Sequence, residues 1–408
     1  MISTTRFAGY TLFVALTTWG CAEQPTAVTC APAQLRGGCA TALADRAENS
    51  AADLSALATT TWNKRATDLL FLRPPGNAQA AVSRMLTYLS IAQYRATLAA
   101  KDGKVRSMHP STSAAVGGAS AAVLSSFFPL DVASVEAQLS TDLAALESNH
   151  NEDEDVAAGE AIGRDVAADV LAQAATDNYF VRNPGVPPVG AGYWVSSAAP
   201  IVRGLYGARP FFLKTADQLR PAPPPAFGSP AFLAGLAEIR MISDTRTAEQ
   251  TLIAQTYAWG TAPFTVGQLN LIVDQLIVDH HRTEREAARI LAYANAATFD
   301  AGIACYDAKF AYWFIRPSQA DPLITMPIAL PNHPSYPSGH SCLTSALMTV
   351  AIDAFPSERD RLEALITTTG LSRMYGGLHY RFDVEAGQVI GRGAAALALA
   401  GSLEGEKE

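Results

Sequence analysis

The chain has 408 residues, of which 49% are hydrophobic and 17% charged, with a formal net charge of −8. This length allows one large domain or two to three ordinary ones, and the composition is typical of a globular protein. The negative charge argues against nucleic acid or an anionic membrane surface as the main partner.

Residues 1–21 have the outline of an export signal: one positive charge at Arg6, an apolar segment of about ten residues, then small residues. Gly20-Cys21 resembles the end of a lipoprotein cleavage site, although the two residues before it fit that pattern poorly. We therefore expect a periplasmic or extracellular protein and leave open whether Cys21 carries a lipid anchor. No later run of about eighteen apolar residues predicts a second membrane span.

Five cysteines suit an oxidising compartment. Cys30 and Cys39 flank a short glycine-containing stretch and could close a small disulfide loop. Cys305 and Cys342 lie beside the two strongest motifs described below. They are either a second disulfide or two buried free thiols.

In chain order, residues 22–48 are small, polar and rich in Pro and Gly, which indicates a tether. Residues 49–220 show repeated helical periodicity and end in a Pro-rich connection that begins near residue 180. A connection of this length is usually a lid or a wrap between bundles. Helical periodicity resumes over residues 221–403. The predicted fold class is all-α, with two packed helical bundles.

The first motif with chemical potential is "DAKFAYWFIRP". Lys309 and Arg316 are seven residues apart, which on one helix places them two turns and about 10 Å apart on nearly the same face. Pro317 would then end this helix. The simpler interpretation is that both side chains reach solvent.

The second motif is "PNHPSYPSGHSC", directly before an apolar helical run. A helix that starts at Ser338-Gly339-His340 presents unpaired N–H groups, which bind oxyanions. Gly339 allows close backbone approach and His340 provides a titratable proton. The simpler interpretation is an N-cap at Ser338 with His340 on the surface.

The third motif is "LSRMYGGLHYRFDVEAG". Gly376-Gly377 can place Arg373 and His379 on different elements, and Asp383 follows His379 by four residues. On a helix, Asp383 could accept a hydrogen bond from one ring nitrogen of His379 and leave the other as an oriented ligand or nucleophile. A surface His–Asp pair is the simpler interpretation.

Together the three motifs contain the groups that suit a tetrahedral or trigonal-bipyramidal oxyanion: three cations, a serine hydroxyl, a glycine N–H and two histidines. The sequence shows no acidic cluster for a two-metal centre, no zinc ligand set and no Gly-x-Ser-x-Gly. We interpret His280-His281 as a solvated helix end.

In this order and spacing, the motifs resemble the three-part signature of the superfamily of vanadium-dependent haloperoxidases and type 2 phosphatidic acid phosphatases (PAP2). The motifs cover residues 305 to 390. The helical layout is similar to that of the soluble haloperoxidases over roughly residues 50 to 400. This resemblance implies two packed helical bundles of the haloperoxidase and PAP2 type, with the site in the second.

The resemblance also implies roles for the site residues. His379 would bond vanadium axially in a peroxidase, or attack phosphorus and form a phosphohistidine in a phosphatase. His340 would be the acid or base on the opposite side, and Asp383 would orient His379. The oxygens of vanadate or phosphate would be held by Lys309, Arg316, Ser338, Gly339 and Arg373.

Three features favour the peroxidase branch. The sequence has no internal span, unlike the family's lipid phosphatases, and Arg381-Phe382 resembles the soluble haloperoxidases. His333, seven residues before His340, matches a histidine of bromide-oxidising members, although it could be an ordinary turn residue. Soluble acid phosphatases share the same anion pocket.

The leading hypothesis is therefore a secreted vanadate-dependent haloperoxidase that oxidises halide, with bromide the expected one, using hydrogen peroxide. The alternative is a soluble phosphatase that hydrolyses phosphate monoesters through His379 and needs no cofactor. The expected partners are small molecules, and the oligomeric state stays open.

Overall fold

The computed structural model of the protein describes residues 57–75, 78–103, 109–148, 155–180, 183–197, 201–258 and 264–403. The predicted export signal at residues 1–21, the tether at 22–48 and the Cys30–Cys39 pair lie outside the described residues.

The described residues fold into α-helices joined by turns and irregular segments, which confirms the all-α fold class. The first half contains α1 (Ala58–Leu72), α2 (Ala78–Gly103), α3 (Thr112–Phe127), α4 (Val132–Ser148) and α5 (Val156–Ala175). The second half contains α6 (Pro230–Thr245), α7 (Ala248–Thr256), α8 (Phe264–Asp279), α9 (Glu284–Tyr312), α10 (Pro317–Ala320), α11 (Gly339–Ala354), α12 (Arg359–Tyr375) and α13 (Arg381–Ala400).

In the first half, α3 and α5 approach each other closely because small residues line their contact. A Cβ atom on Gly163 of α5 would lie 2.0 Å from the carbonyl oxygen of Ala115 on α3. Glycine is therefore required there by the backbone-to-backbone distance. Both helices begin with a side-chain cap, from Ser111 and Asp155 respectively.

Helix α9 is the central element of the fold. A capping box between Thr283 and Glu286 starts it, and most of its residues are buried. It packs against α2 from the first half of the chain and against α11 and α13 from the second half. One buried apolar cluster contains residues of both halves, and the described helices lie within one compact unit, Ala47–Glu408. The predicted boundary between bundles at residues 220 and 221 stays a prediction.

The described residues of the Pro-rich connection are non-helical, as predicted, and contact α9 and the segment that follows it. The buried carboxylate of Asp300 accepts three backbone N–H groups, from Phe211, Phe212 and Leu213, at 2.7 to 2.9 Å. Nearer the start of the connection, the N–H of Trp194 donates to the carbonyl of Trp313, directly after α9, at 2.7 Å. The connection is therefore fixed to the helix that supplies Lys309.

Two expectations about helix ends and cysteines need revision. α9 ends at Tyr312, and Trp313 has a left-handed φ of 49°, so Lys309 and Arg316 do not share a helix. Pro317 is the first residue of α10 and does not end a helix, because its fixed φ suits that position. Cys305 and Cys342 are both free and buried, which favours the thiol alternative over the disulfide.

Among the described helices, none has both the length and the apolar character that crossing a membrane requires.

Candidate active site

The three sequence motifs meet at one buried place beside the C-terminal half of α9. Each motif reaches it from a different element: α9 and the turn after it, the loop before α11, and the α12–α13 junction. The side chains of the cluster are at most 3% exposed, namely Lys309, Arg316, Ser338, Arg373, His379 and Asp383. The convergence that the motif order predicted is therefore present in the fold.

The sequence analysis placed His379 and Asp383 on one helix. In the structure His379 lies outside α13, two residues before its first helical residue. Its Nδ1 is nevertheless 2.9 Å from Oδ2 of Asp383, which lies in the first turn of α13. Its Nε2 is 3.0 Å from Nη1 of Arg316. Because a guanidinium can only donate, Nε2 accepts this hydrogen bond and the ring proton is on Nδ1.

Asp383 has a second strong partner that the sequence analysis missed. The hydroxyl of Ser335 donates to Oδ2 of Asp383 at 2.6 Å, while Oδ1 has no hydrogen-bond partner among the described residues. Burial raises the pKa of Asp383 to about 7, and the Ser335 hydrogen bond and the nearby cations oppose this rise. Nothing in the sequence distinguished Ser335, since a serine between prolines is typical of any turn.

Arg316 is the centre of the hydrogen-bond network. Besides His379, its guanidinium donates to the carbonyl of Leu378 at 2.9 Å and to the carbonyl of His333 at 3.0 Å. Nη2 also lies 3.0 Å from Nδ1 of His333, whose ring meets that of Tyr306 edge-on at 5.5 Å. His333 is therefore a buried member of the site, which the ordinary-turn interpretation does not predict.

Lys309 is fully buried, and its ammonium group donates to the loop before α11. Its Nζ lies 2.9 Å from the carbonyl of Pro334 and 2.8 Å from that of Ser335, and it also contacts the carbonyl of Pro337. Burial lowers the pKa of Lys309 to about 8. Lys309 thus shapes the loop directly, and its contact with an anion stays a prediction.

Arg373 approaches from α12, across the Gly376-Gly377 break that the sequence indicated. Its Nη2 donates to the carbonyl of Ala254 near the end of α7 at 3.1 Å. Burial, followed by the charge of Arg316, lowers its pKa. The outer side of the site is therefore formed in part by α7, an element to which sequence reasoning assigned no role.

The loop before α11 forms the helix start that the second motif predicted. Ser338 is the N-cap, and its hydroxyl accepts the N–H of Ser341 at 3.4 Å. A Cβ atom built on Gly339 would meet no atom within 4 Å, so open space lies beside the first turn of α11. His340 is half-buried, and its buried Nε2 has no partner among the described residues.

The pKa of His333, His340 and His379 is well below the ordinary histidine value, first because of burial and then because of the neighbouring cations. All three are therefore neutral near pH 7. A neutral His379 with its proton on Nδ1 has a lone pair on Nε2 that can bond an electrophilic centre.

The residues present fit an oxyanion. Lys309, Arg316 and Arg373 are buried beside one carboxylate, Asp383, so positive charge is in excess. Open space lies beside Gly339 at the start of α11, and the next residue, His340, is close enough to all three cations for their charges to lower its pKa. A bound anion would offset the excess charge and accept from these donors.

Comparison with known proteins supports this class of site. Residues 288–404 match the family model described as the PAP2 superfamily, and this range contains every site residue from Lys309 to Asp383. The predicted resemblance is therefore confirmed: the C-terminal part of the chain matches the PAP2 superfamily.

One relative is the "Non-specific acid phosphatase" of Providencia stuartii, which is 29% identical over 182 residues, 43% of this chain and 70% of that protein. Among solved structures, a bacterial vanadium-dependent iodoperoxidase has a TM-score of 0.70 at 21% identity, covering 83% of this chain and 95% of its own. A bacterial vanadium-dependent chloroperoxidase has a TM-score of 0.65 at 14% identity, with 80% and 93% covered. At such identities the two structures establish the shared fold.

Proposed function

We propose that this protein is a vanadate-dependent haloperoxidase that oxidises bromide with hydrogen peroxide. The observation that carries the proposal is the state of His379. Its Nδ1 proton is held by Asp383, and its Nε2 lone pair faces a guanidinium inside a buried, cation-rich site. A single oriented imidazole of this kind can bond vanadium, and the cations can hold the oxygens around it.

The residues that would hold vanadate are His379, through Nε2, and the donors around it. Vanadate, when bound, supplies the metal centre that activates hydrogen peroxide toward halide. In the structure, Nη1 of Arg316 donates to Nε2 of His379. When vanadate is bound, we expect this N–H to donate to a vanadate oxygen instead. The other oxygen-binding groups would be Lys309, Arg373, the Ser338 hydroxyl and the N–H of Gly339.

His340 is the residue suited to move a proton at the site. Its Nε2 is buried and has no hydrogen-bond partner among the residues that the structure describes, and its low pKa keeps it neutral near pH 7. It can therefore accept a proton from hydrogen peroxide as the peroxide enters. His333 lies against Arg316 and Tyr306 and would influence which halide reacts, with bromide expected.

A soluble acid phosphatase is the second candidate, favoured by the identity to the Providencia stuartii enzyme. In that reaction Nε2 of His379 attacks the phosphorus of a phosphate monoester. The bound phosphate anion would favour the protonated form of His340, which then gives its proton to the alcohol that leaves. Water then hydrolyses the phosphohistidine. The peroxidase is preferred because the fold shared with the haloperoxidases extends over four-fifths of the chain, whereas the phosphatase relative matches 43% of it.

One experiment separates the two candidates. The purified protein, with and without vanadate, is assayed for peroxide-dependent bromination, with iodide and chloride in parallel, and for hydrolysis of an aryl phosphate. We expect bromination that requires vanadate, and a loss of about a thousandfold or more in His379→Ala, because the one direct ligand is gone. His280→Ala is the matched control, since His280 lies at the end of α8 near Glu358, outside the site.

Bromination that is indifferent to vanadate would refute the peroxidase. Aryl phosphate hydrolysis that His379→Ala abolishes would instead establish the phosphatase. If His379→Ala affected neither activity, the assigned site would be wrong.

Export remains part of the proposal, with Cys21 as the residue that would carry a lipid. The mass of the mature N-terminus, measured on protein purified from its own cell envelope, distinguishes simple cleavage, lipid attachment and no processing.

A further inference from the structure

We infer that Ser335 is a positioning residue for His379: it orients the Asp383 carboxylate and so keeps the His379 proton on Nδ1. The inference deepens the proposed function and rests on it, since it concerns the histidine that would bond vanadate or attack phosphate. Ser335 lies within the second motif, but none of the roles that the sequence suggested was assigned to it.

The backbone of Ser335 is held on two sides. Its N–H donates to the carbonyl of Phe314 at 2.9 Å, and its own carbonyl accepts from Lys309 at 2.8 Å. The residue is fully buried. Its side-chain oxygen therefore starts from a fixed backbone, and its hydroxyl reaches Asp383 at 2.6 Å.

Both strong side-chain donors to Asp383 meet the same oxygen. Ser335 and Nδ1 of His379 donate to Oδ2, and the N–H of Tyr380 lies 3.3 Å from it, while Oδ1 has no hydrogen-bond partner in the described part of the chain. A carboxylate bound on one oxygen by three donors is held against rotation about its Cβ–Cγ bond. Without the serine, the remaining contacts are His379 and one long backbone hydrogen bond.

The consequence lies at the opposite side of the imidazole. Because a neutral ring has one N–H, holding the proton on Nδ1 leaves the lone pair on Nε2. That lone pair is the group that bonds vanadium or phosphorus in either proposed reaction. Supporting partners of this kind typically change affinity or activity by about 10- to 100-fold when removed.

The test compares Ser335→Ala, Ser335→Thr and wild type. The matched control is Ser345→Ala on α11. This change removes another fully buried hydroxyl, for which no described residue is a hydrogen-bond partner. The first readout is the tautomer of His379 in the unliganded protein, from nitrogen NMR of labelled histidine at one pH. His379→Gln assigns the signal. The second readout is the dissociation constant for vanadate.

We expect wild type, Ser335→Thr and Ser345→Ala to have His379 with its proton on Nδ1. Once the Asp383 carboxylate can rotate, the His379 ring is free to turn away from the Arg316 donor. Ser335→Ala should therefore show a detectable population with the proton on Nε2 and bind vanadate about tenfold more weakly. An unchanged tautomer together with vanadate affinity within about twofold of wild type would overturn the inference. A purely structural role would instead lower stability without moving the tautomer.

If Ser335→Ala does not fold, Ser335→Cys replaces it, since a thiol is a weaker donor of similar size. A fully wild-type tautomer and affinity in that variant would also overturn the inference. The NMR measurement needs no turnover, so it distinguishes the two proposals: a protein that performs neither reaction but shows the tautomer change would refute the proposed function and retain the role of Ser335.

Discussion

Two buried arginines, Arg84 and Arg316, differ in how their positive charge is balanced by neighbouring groups. Arg84 on α2 donates to the carboxylate of Asp177 at 2.6 Å and to the carbonyl of Ala174 at 2.7 Å. Four aromatic rings surround it at 5.1 to 5.4 Å. Its charge is thus matched by one carboxylate within the protein.

Arg316, in contrast, donates to carbonyl oxygens and to neutral histidines. Lys309 and Arg373 lie in the same buried site, where Asp383 is the shared counter-charge. A folded protein keeps buried charge unmatched only at a cost in stability. The excess positive charge around Arg316 therefore indicates a site for an anion, whereas the balanced pair of Arg84 and Asp177 indicates a structural role.

The largest effects should come from removing each arginine in turn. Arg84→Met leaves Asp177 buried without its partner and should lower the free energy of unfolding by about 3–5 kcal/mol, with no change in anion affinity. Arg316→Met should weaken vanadate binding by at least about a hundredfold, because a buried charge partner of the anion is lost. Its effect on stability should be smaller, since excess positive charge is relieved.

Chemical denaturation measures the first quantity and equilibrium binding of vanadate the second. If Arg84→Met impaired anion binding as much as Arg316→Met did, the distinction between the two regions would fail.

A smaller effect should appear with pH at Lys309, whose pKa is lowered to about 8. The folded state binds the proton of the Lys309 ammonium group less tightly than the unfolded chain does. Between about pH 8 and the ordinary pKa of lysine, Lys309 is therefore neutral in the folded protein. Affinity for an anion should then fall above about pH 8, by up to about tenfold per pH unit. Over the same pH range, the contribution of Lys309 to the free energy of unfolding of the unliganded protein should rise with pH.

Tungstate is a suitable probe, because its own charge does not change over that range. Its dissociation constant is measured from pH 7 to 10 for wild type, Lys309→Met and the control Lys64→Met, which removes a partly exposed lysine of α1. Persistence of the same pH dependence in Lys309→Met would assign it to another group.

The smallest change should be seen for Gly339→Ala. Because the added methyl group meets no protein atom within 4 Å, stability should change by less than about 0.5 kcal/mol. The same methyl group projects into the space where we place the anion, so vanadate affinity should fall by about tenfold. Thermal unfolding and vanadate titration measure the two effects. Unchanged affinity would place the anion elsewhere.

The sequence was informative about the site because its residues lie in three short motifs with fixed spacing. The helix start at Ser338, the break at Gly376-Gly377 and the Asp383 partner of His379 follow from local chemistry, and the structure has all three. Helical periodicity and the Pro-rich connection likewise predicted an all-α fold interrupted after α5.

The errors occurred where tertiary contacts override local preference. Helix α9 was expected to continue to Arg316, but Trp313 adopts a left-handed conformation and stacks at 6.3 Å on Trp194 of the Pro-rich connection. Periodicity alone cannot detect such a partner, which lies more than a hundred residues away in the chain.

The sequence by itself determined the class of chemistry, since the number and type of cations, histidines and helix-start groups are set by residue identity. Only the tertiary structure decided how they are connected: Lys309 donates to loop carbonyls, Ser335 holds Asp383, and α7 borders Arg373. The physical reason is that burial makes an unpaired polar group costly, and the partner that a group finds depends on which distant segment the fold brings within hydrogen-bond distance.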